Sequence, residues 1–414
     1  MKTLFICLTD YQMLNALNIK MHLLKDKQAD ILFFDNKKGH KDLCKRLEET
    51  AVFDNVYLHQ YESVCGLHKY FRNRTENIVT VGFTEALLNS LKEIKYKVGT
   101  KLLGKKFKVN SKLYFNKHIN FNVYDQIFGI VTKDLVRDVM QLVLRENPKV
   151  EINFIEDGTS TYWRNSIDTN MEIKHIWLYQ PELANYYNES MGRKLKKIPE
   201  IDWYDEKFRN IINRIFNFRN ENIDYSNKVV FFDQNWDSMP KYLQNLSGLK
   251  KFFLKSLYKK HKKESILYDK KMELFRILSD NCVGNKEIIV KLHPRSADNF
   301  SVDYLKSPCK MAEYVKVPWE IFEDNYVFNN NMWVTVSSTA LCSLLMAFKN
   351  KNDDVKLIFL YKMVYSGDDY QEDNEFFENL QRKYPDNVYI PKTGSIARII
   401  ILQVMISYII LQKP

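Results

Sequence analysis

The chain has 414 residues, a length that predicts two or three domains. Hydrophobic residues at 45% and charged residues at 27% describe a folded globular protein, and only 12 Gly and 10 Pro exclude collagen-like or linker-rich chains. Lys plus Arg number 62 against 51 Asp plus Glu, and the formal charge of +11 favours anionic partners (nucleic acid, acidic lipid or a phosphorylated substrate) without choosing among them.

Residues 2–8 (KTLFICL) form a continuous apolar run that predicts a buried strand, and the polar pair Thr9-Asp10 then leads into a helix over 11–24. Asp10 and Gln12 interrupt the run before a secretory signal core is complete, so a cytoplasmic protein is expected. A second strand is predicted at 30–34 (DILFF), with further runs at 78–81 and 150–155. Such runs alternating with helical stretches indicate a parallel sheet buried on both faces. Residues 204–228 are charged and helical in pattern. A second α/β series follows at 229–232 (VVFF), 287–292 (EIIVKL), 332–336 (MWVTV) and 356–361 (KLIFLY).

The expected organisation is therefore two α/β domains, 1–225 and 226–392, followed by an apolar C-terminal helix over 393–414. Its run at 396–411 (IARIIILQVMISYIIL) contains Arg398 and Gln403 and falls short of the ~20 residues needed to span a bilayer. It reads as a helix packed on the protein or lying on a membrane surface. The cysteines are scattered with no C-x-x-C pair, which points to reduced thiols. Lys-rich stretches at 92–117 and 250–271 read as solvated helix faces or as basic amphipathic surfaces for peripheral contact with anionic lipid. Nucleic acid is not an expected partner, because no recognised binding motif accompanies the charge. A homodimer is compatible with the chain.

Ligands of open α/β sheets bind beyond the carboxyl ends of the strands, so the residues that follow each run carry the information. These are Thr9, Asp10, Tyr11 and Gln12; Glu156, Asp157 and Gly158; Asp233, Gln234 and Asn235; His293, Pro294 and Arg295; and Ser337, Ser338 and Thr339. Adjacent Glu156 and Asp157 point in different directions, so one at most faces a ligand as a general base, and the alternative is an acidic turn capping the next helix. Gly158 permits a sharp turn and a close substrate approach. His293 is placed to meet an anionic oxygen, or else to serve as a structural hydrogen-bonder. Ser337-Ser338-Thr339 precedes an expected helix over 340–348, where a cap and a phosphate contact are compatible. Glu320, beside the apolar cluster at 317–322 (VPWEIF), suits the two hydroxyls of a ribose. No phosphate-binding P-loop, dinucleotide fingerprint, H-E-x-x-H, Cys/His cluster or Asp-x-Asp pair is present, which disfavours metal-dependent transfer.

The ordered set Glu156-Asp157-Gly158, His293-Pro294 and Ser337-Ser338, each after a strand, resembles the motif set of bacterial sialyltransferases of the two-domain GT-B type. The opening Leu8-Thr9-Asp10-Tyr11-Gln12-Met13-Leu14-Asn15-Ala16-Leu17 looks most like glycosyltransferase family 52, the lipooligosaccharide and capsule sialyltransferases. The resemblance spans roughly residues 1–390 and implies two Rossmann-like domains facing each other across a cleft. It implies a base at Asp157, with Glu156 the fallback. His293, Pro294, Ser337 and Ser338 would lie at the leaving phosphate of a CMP-sugar, Glu320 at the ribose, and Gln234 in the nucleotide pocket. Asp233 departs from the pattern, which more often has Gly or Thr before that Gln, and the Ile-rich tail departs as well. The implied function is inverting transfer of sialic acid from CMP-Neu5Ac to a terminal galactose or similar hydroxyl of a bacterial surface glycan, without cofactor or metal. The alternatives are transfer from another nucleotide sugar such as UDP-glucose, or a non-catalytic basic membrane- or nucleic-acid-binding protein.

Overall fold

The computed structural model describes residues 1–35, 39–60, 119–130, 134–163, 167, 171–219, 224–234, 236, 255–282, 287–293, 309–311, 317–351, 354–365 and 370–392. The expected strand at 78–81, the first Lys-rich stretch, Asn235, Pro294, Arg295 and the C-terminal run lie outside them.

The first half alternates strands and helices in chain order: β1 (Lys2–Cys7), α1 (Asp10–His22), β2 (Gln28–Asp35), α2 (His40–Glu48), β3 (Asn55–Gln60), β4 (Gln126–Gly129), α3 (Asp134–Glu146), β5 (Glu151–Ile155), β6 (Ile173–Leu178) and β7 (Leu195–Lys197). β8 (Ile201–Asp202) and α4 (Glu206–Phe216) follow. The second half holds β9 (Lys228–Phe232), α5 (Lys255–Cys282), β10 (Glu287–Lys291), β11 (Cys309–Met311), α6 (Trp319–Asn325), β12 (Asn331–Thr335), α7 (Ser343–Met346), β13 (Phe348–Lys349), β14 (Val355–Phe359), α8 (Tyr361–Val364), α9 (Gln371–Lys383) and β15 (Val388–Tyr389).

Two parallel sheets result. The first runs β3-β2-β1-β4-β5-β6-β7 and the second β11-β10-β9-β12-β14-β15. Each reverses direction once, beside its first strand, which is the doubly wound order of a Rossmann-like sheet. The expected α/β class, with two Rossmann-like parallel sheets, is the architecture observed. The apolar runs are buried for the reason the sequence implies: β1 and β9 are central and covered on both faces, so Leu4, Phe5, Ile6, Val229, Val230 and Phe231 are fully enclosed.

One continuous apolar core joins the two halves. Specific bonds fasten them as well. β8 pairs with β13, Ile201 N–H donates to Ala347 O at 2.7 Å, and Gln180 Nε2 donates to Met346 O at 2.9 Å. No helix among the described residues is long and apolar enough to cross a membrane. Among the described residues, Cys7, Cys44, Cys309 and Cys342 form no disulfide.

Two expectations need correction. The helix expected over 340–348 is a 3-10 turn, Thr339–Leu341, followed by the four-residue α7, because residues 348–349 are drawn out as a strand against β8. The second Lys-rich stretch is not a uniform solvated face. Residues 255–271 open α5, where Lys262 and Lys263 are exposed while Lys271 is 2% exposed and ion-paired.

Candidate active site

At the carboxyl edge of the first sheet, the turn after β1 and the turn after β5 are built against each other. Thr9 caps α1, and Gln12 completes a capping box with it. The Gln12 Oε1 accepts from the main-chain N–H groups of Leu8 at 2.6 Å and Thr9 at 3.2 Å, and its Nε2 donates to Asp157 Oδ1 at 2.7 Å. Asn15 Nδ2 donates to Glu156 O at 3.1 Å. Asp157 N–H donates to Thr161 Oγ1 at 2.9 Å, closing the turn.

The two carboxylates have opposite surroundings. Glu156 is 4% exposed and accepts from Tyr162 Oη at 2.6 Å, Tyr11 Oη at 3.0 Å and the Tyr179 N–H at 3.0 Å. Burial pushes its carboxyl above the usual range, and the Tyr162, Tyr179 and Tyr11 donors pull the other way. Asp157 is half-buried, at the rim of the same turn. The side chains do diverge, as adjacent residues after a strand must, and the inner one is consumed by structure.

The second sheet presents Asp233 and Gln234 after β9, His293 after β10 and Ser337-Ser338 after β12. β9 and β12 flank the reversal of strand order, the crevice where such sheets bind ligands. Gln234 Nε2 donates to Thr335 Oγ1 at 3.4 Å, and Ser338 N–H donates to the same oxygen at 3.0 Å, which knits the two turns together. Ser337 Oγ lies 3.0 Å from Tyr365 Oη. Ser338 opens the 3-10 turn without capping it by its side chain. Asp233 is buried in an ion pair with Lys271 Nζ at 2.6 Å, and that ammonium also donates to Gln234 O at 2.9 Å. His293 is half-buried beyond β10, one strand out from β9, where Asp233 N–H meets Lys291 O at 2.9 Å.

Glu320, in the first turn of α6, is 7% exposed. Burial raises its carboxyl to about 7; Lys291 and Ser343 draw it down, and Glu156 across the interface adds to the rise. Burial first, and the Glu156 carboxylate second, raise the Tyr11 and Tyr179 hydroxyls, with Glu320 adding a smaller push. The floor of the site therefore couples groups from both sheets. Gly158 completes the meeting: a β-carbon there would stand 3.1 Å from Thr339 Oγ1.

Sequence reasoning pointed to Asp157, Gly158, Gln234, His293, Glu320, Ser337 and Ser338. The structure brings Gly158, and Asp157 beside it, to the Ser338-Thr339 turn, buries Glu320 in the first turn of α6, and places Gln234 and His293 after strands of the second sheet. It adds Tyr162, Tyr179, Lys271, Lys291 and Tyr365, which no motif marked. A cavity of about 450 Å³ lined by His22, Asp202, Asp205 and Lys349 lies elsewhere, at the far end of α1. Thirteen residues of helix separate that end from Thr9, roughly 20 Å.

No family model and no curated protein matches the chain. Among solved structures it is similar to UGT89C1 of Arabidopsis thaliana complexed with UDP-L-rhamnose, at TM-score 0.48 and 9% identity over 97% of this chain and 89% of that one. It is also similar to the calicheamicin glycosyltransferase CalG4, at 0.47 and 9% over 96% and 87%. The third is MurG of Acinetobacter baumannii, at 0.39 and 9% over 99% and 90%.

Proposed function

We propose that the chain is an inverting glycosyltransferase that moves sialic acid from CMP-Neu5Ac to a galactose-type hydroxyl of a bacterial surface glycan. The observation that carries the reading is the division of labour at the end of β5. Glu156 is taken up by three donors, while Asp157 stands at the rim beside the Ser338-Thr339 turn of the other sheet.

In this reading Asp157 removes the proton of the acceptor hydroxyl as its oxygen forms a bond to the anomeric carbon. The bond from that carbon to the phosphate oxygen breaks, and CMP departs with the electron pair. His293 and the hydroxyls of Ser337 and Ser338 offset the phosphate charge. Glu320 accepts from the ribose hydroxyls and Gln234 lines the nucleotide pocket. A cytidine monophosphate is a good leaving group, so the step needs no metal.

The test is CMP release from CMP-Neu5Ac with and without lactose, for wild type, Asp157→Ala and His293→Ala. Lactose-stimulated release lost in both variants supports the reading. A thermal shift with UDP and none with CMP moves the donor to another nucleotide sugar, and silence toward both overturns transfer.

A further inference from the structure

The geometry points to Gln12 as the positioning residue of Asp157, an assignment that deepens the proposed function and rests on Asp157 being the base. Gln12 is fully buried, and its amide can be oriented in only one way. Its oxygen accepts the Leu8 and Thr9 N–H groups, so the nitrogen must be the end that meets Asp157 Oδ1 at 2.7 Å. The anchors are main-chain groups just past β1, an interior strand paired on both sides, so the donor is held by the sheet itself.

The chemistry suits a base. A cation at this position would lower the carboxyl by ~1–3 pKa units and take away the basicity that proton removal needs. A neutral amide aligns one oxygen while leaving the charge on the carboxylate. Gln12 also has a plain structural role, as the third helical residue of the capping box on α1.

One substitution separates the two roles. Gln12→Glu keeps an acceptor for the Thr9 N–H, since Glu is as good a capping-box residue as Gln, but it sets an acceptor-only carboxylate against Asp157. Gln12→Met removes both functions. The experiment compares wild type with these two variants by thermal melting, by CMP release from CMP-Neu5Ac plus lactose across pH 5–9, and by the 13C titration of the Asp157 carboxyl in aspartate-labelled protein, identified with Asp157→Asn.

The expected result is a Gln12→Glu protein that stays folded but melts lower at pH 8 than at pH 5, because a buried carboxylate then faces Asp157, while kcat falls ~10–100-fold and the donor KM stays within about twofold. The acidic limb of the pH profile and the Asp157 titration both move up by about one unit. A Gln12→Glu protein with the wild-type profile and an unmoved Asp157 titration, beside a Gln12→Met protein that only melts lower, overturns the assignment and leaves Gln12 as a helix cap. If the wild type releases no CMP, the donor reading falls by itself. The Asp157 titration then still decides the contact: an upward shift in Gln12→Glu supports it and no shift overturns it.

Discussion

Gly158, after the fifth strand of the first sheet, meets Thr339, after the fourth strand of the second, so closely that a β-carbon would lie 3.1 Å from the threonine Oγ1. Its φ of +82° with ψ of −165° belongs to a region essentially confined to glycine. Two sheets thus touch through a residue that carries no side chain, one position after the proposed base.

Gly158→Ala is expected to destabilise by about 1–3 kcal/mol from backbone strain alone and to abolish most transfer by shifting Asp157. Thr339→Ala relieves the contact and not the strain. The double variant is therefore expected to regain only part of the melting temperature, as read by thermal denaturation of all three. Full recovery in the double variant would mean that crowding, not backbone conformation, demands glycine here.

The Asp233–Lys271 pair sets the entry to the second sheet. Both side chains are nearly inaccessible, at 5% and 2%. Lys271→Met leaves Asp233 charged and buried, which should cost ~3–5 kcal/mol. Lys271→Met with Asp233→Leu removes both charges and should recover most of that loss. A single variant as stable as wild type would show the pair to be dispensable.

The chain order of the fold was legible because central parallel strands are buried on both faces and read as apolar runs: 2–8, 30–34, 150–155, 229–232 and 287–292 each contain or overlap an observed strand. β3 and β6 were hidden because their runs are interrupted. β3 lies at the sheet edge, where Tyr57 is half-buried and the buried His59 interrupts the apolar pattern, and in β6 the exposed Lys174 and half-buried His175 break the run. β4 is central but only four residues long.

At the site, strand-end polar residues were identifiable from position. Their partners were not, because Tyr179 and Tyr365 come from other turns and meet the site only in three dimensions, while Tyr162, six residues past Glu156, carries no motif of its own. Lys271 carries a sequence signal of its own. It shares a helical stripe with Tyr268, Met272, Phe275 and Leu278, all buried, so its place in α5 already called for a buried partner. The helix expected after Ser338 failed because the pairing of β13 with β8 is invisible in local pattern.

Tyr162→Phe tests what holds Glu156. The ring packs on Phe376 at 5.0 Å and phenylalanine keeps that contact, so the change deletes only the hydroxyl, which donates to Glu156 at 2.6 Å and accepts the Gln180 N–H at 3.3 Å. The loss should be about 1–3 kcal/mol. It should be larger at pH 8 than at pH 5, because the ionised carboxylate is the form that uses the donor, and burial already raises this group. Equal losses at both pH values would mean that Glu156 keeps one charge state throughout.

Stability should fall as pH rises toward neutrality. Burial is the largest cause raising Asp324 from 3.8 to about 7 and Glu320 from 4.5 to about 7; Arg209 and Lys351 oppose the rise at Asp324, and Asp205 adds to it. In the unfolded chain both groups ionise near their ordinary values. Between about 4 and 7 the native state therefore holds protons that the unfolded state has released, and the unfolding free energy declines with pH through that window and levels above it. Asp324→Asn mimics the protonated form and should reduce the slope, raising the melting temperature at pH 8 relative to wild type. Because Glu320 still titrates in that variant, part of the slope should remain, and Asp324→Asn with Glu320→Gln should remove more of it. A slope unchanged by Asp324→Asn would place Asp324 in its ionised form across the whole range, held there by Arg209 at 3.7 Å despite its burial.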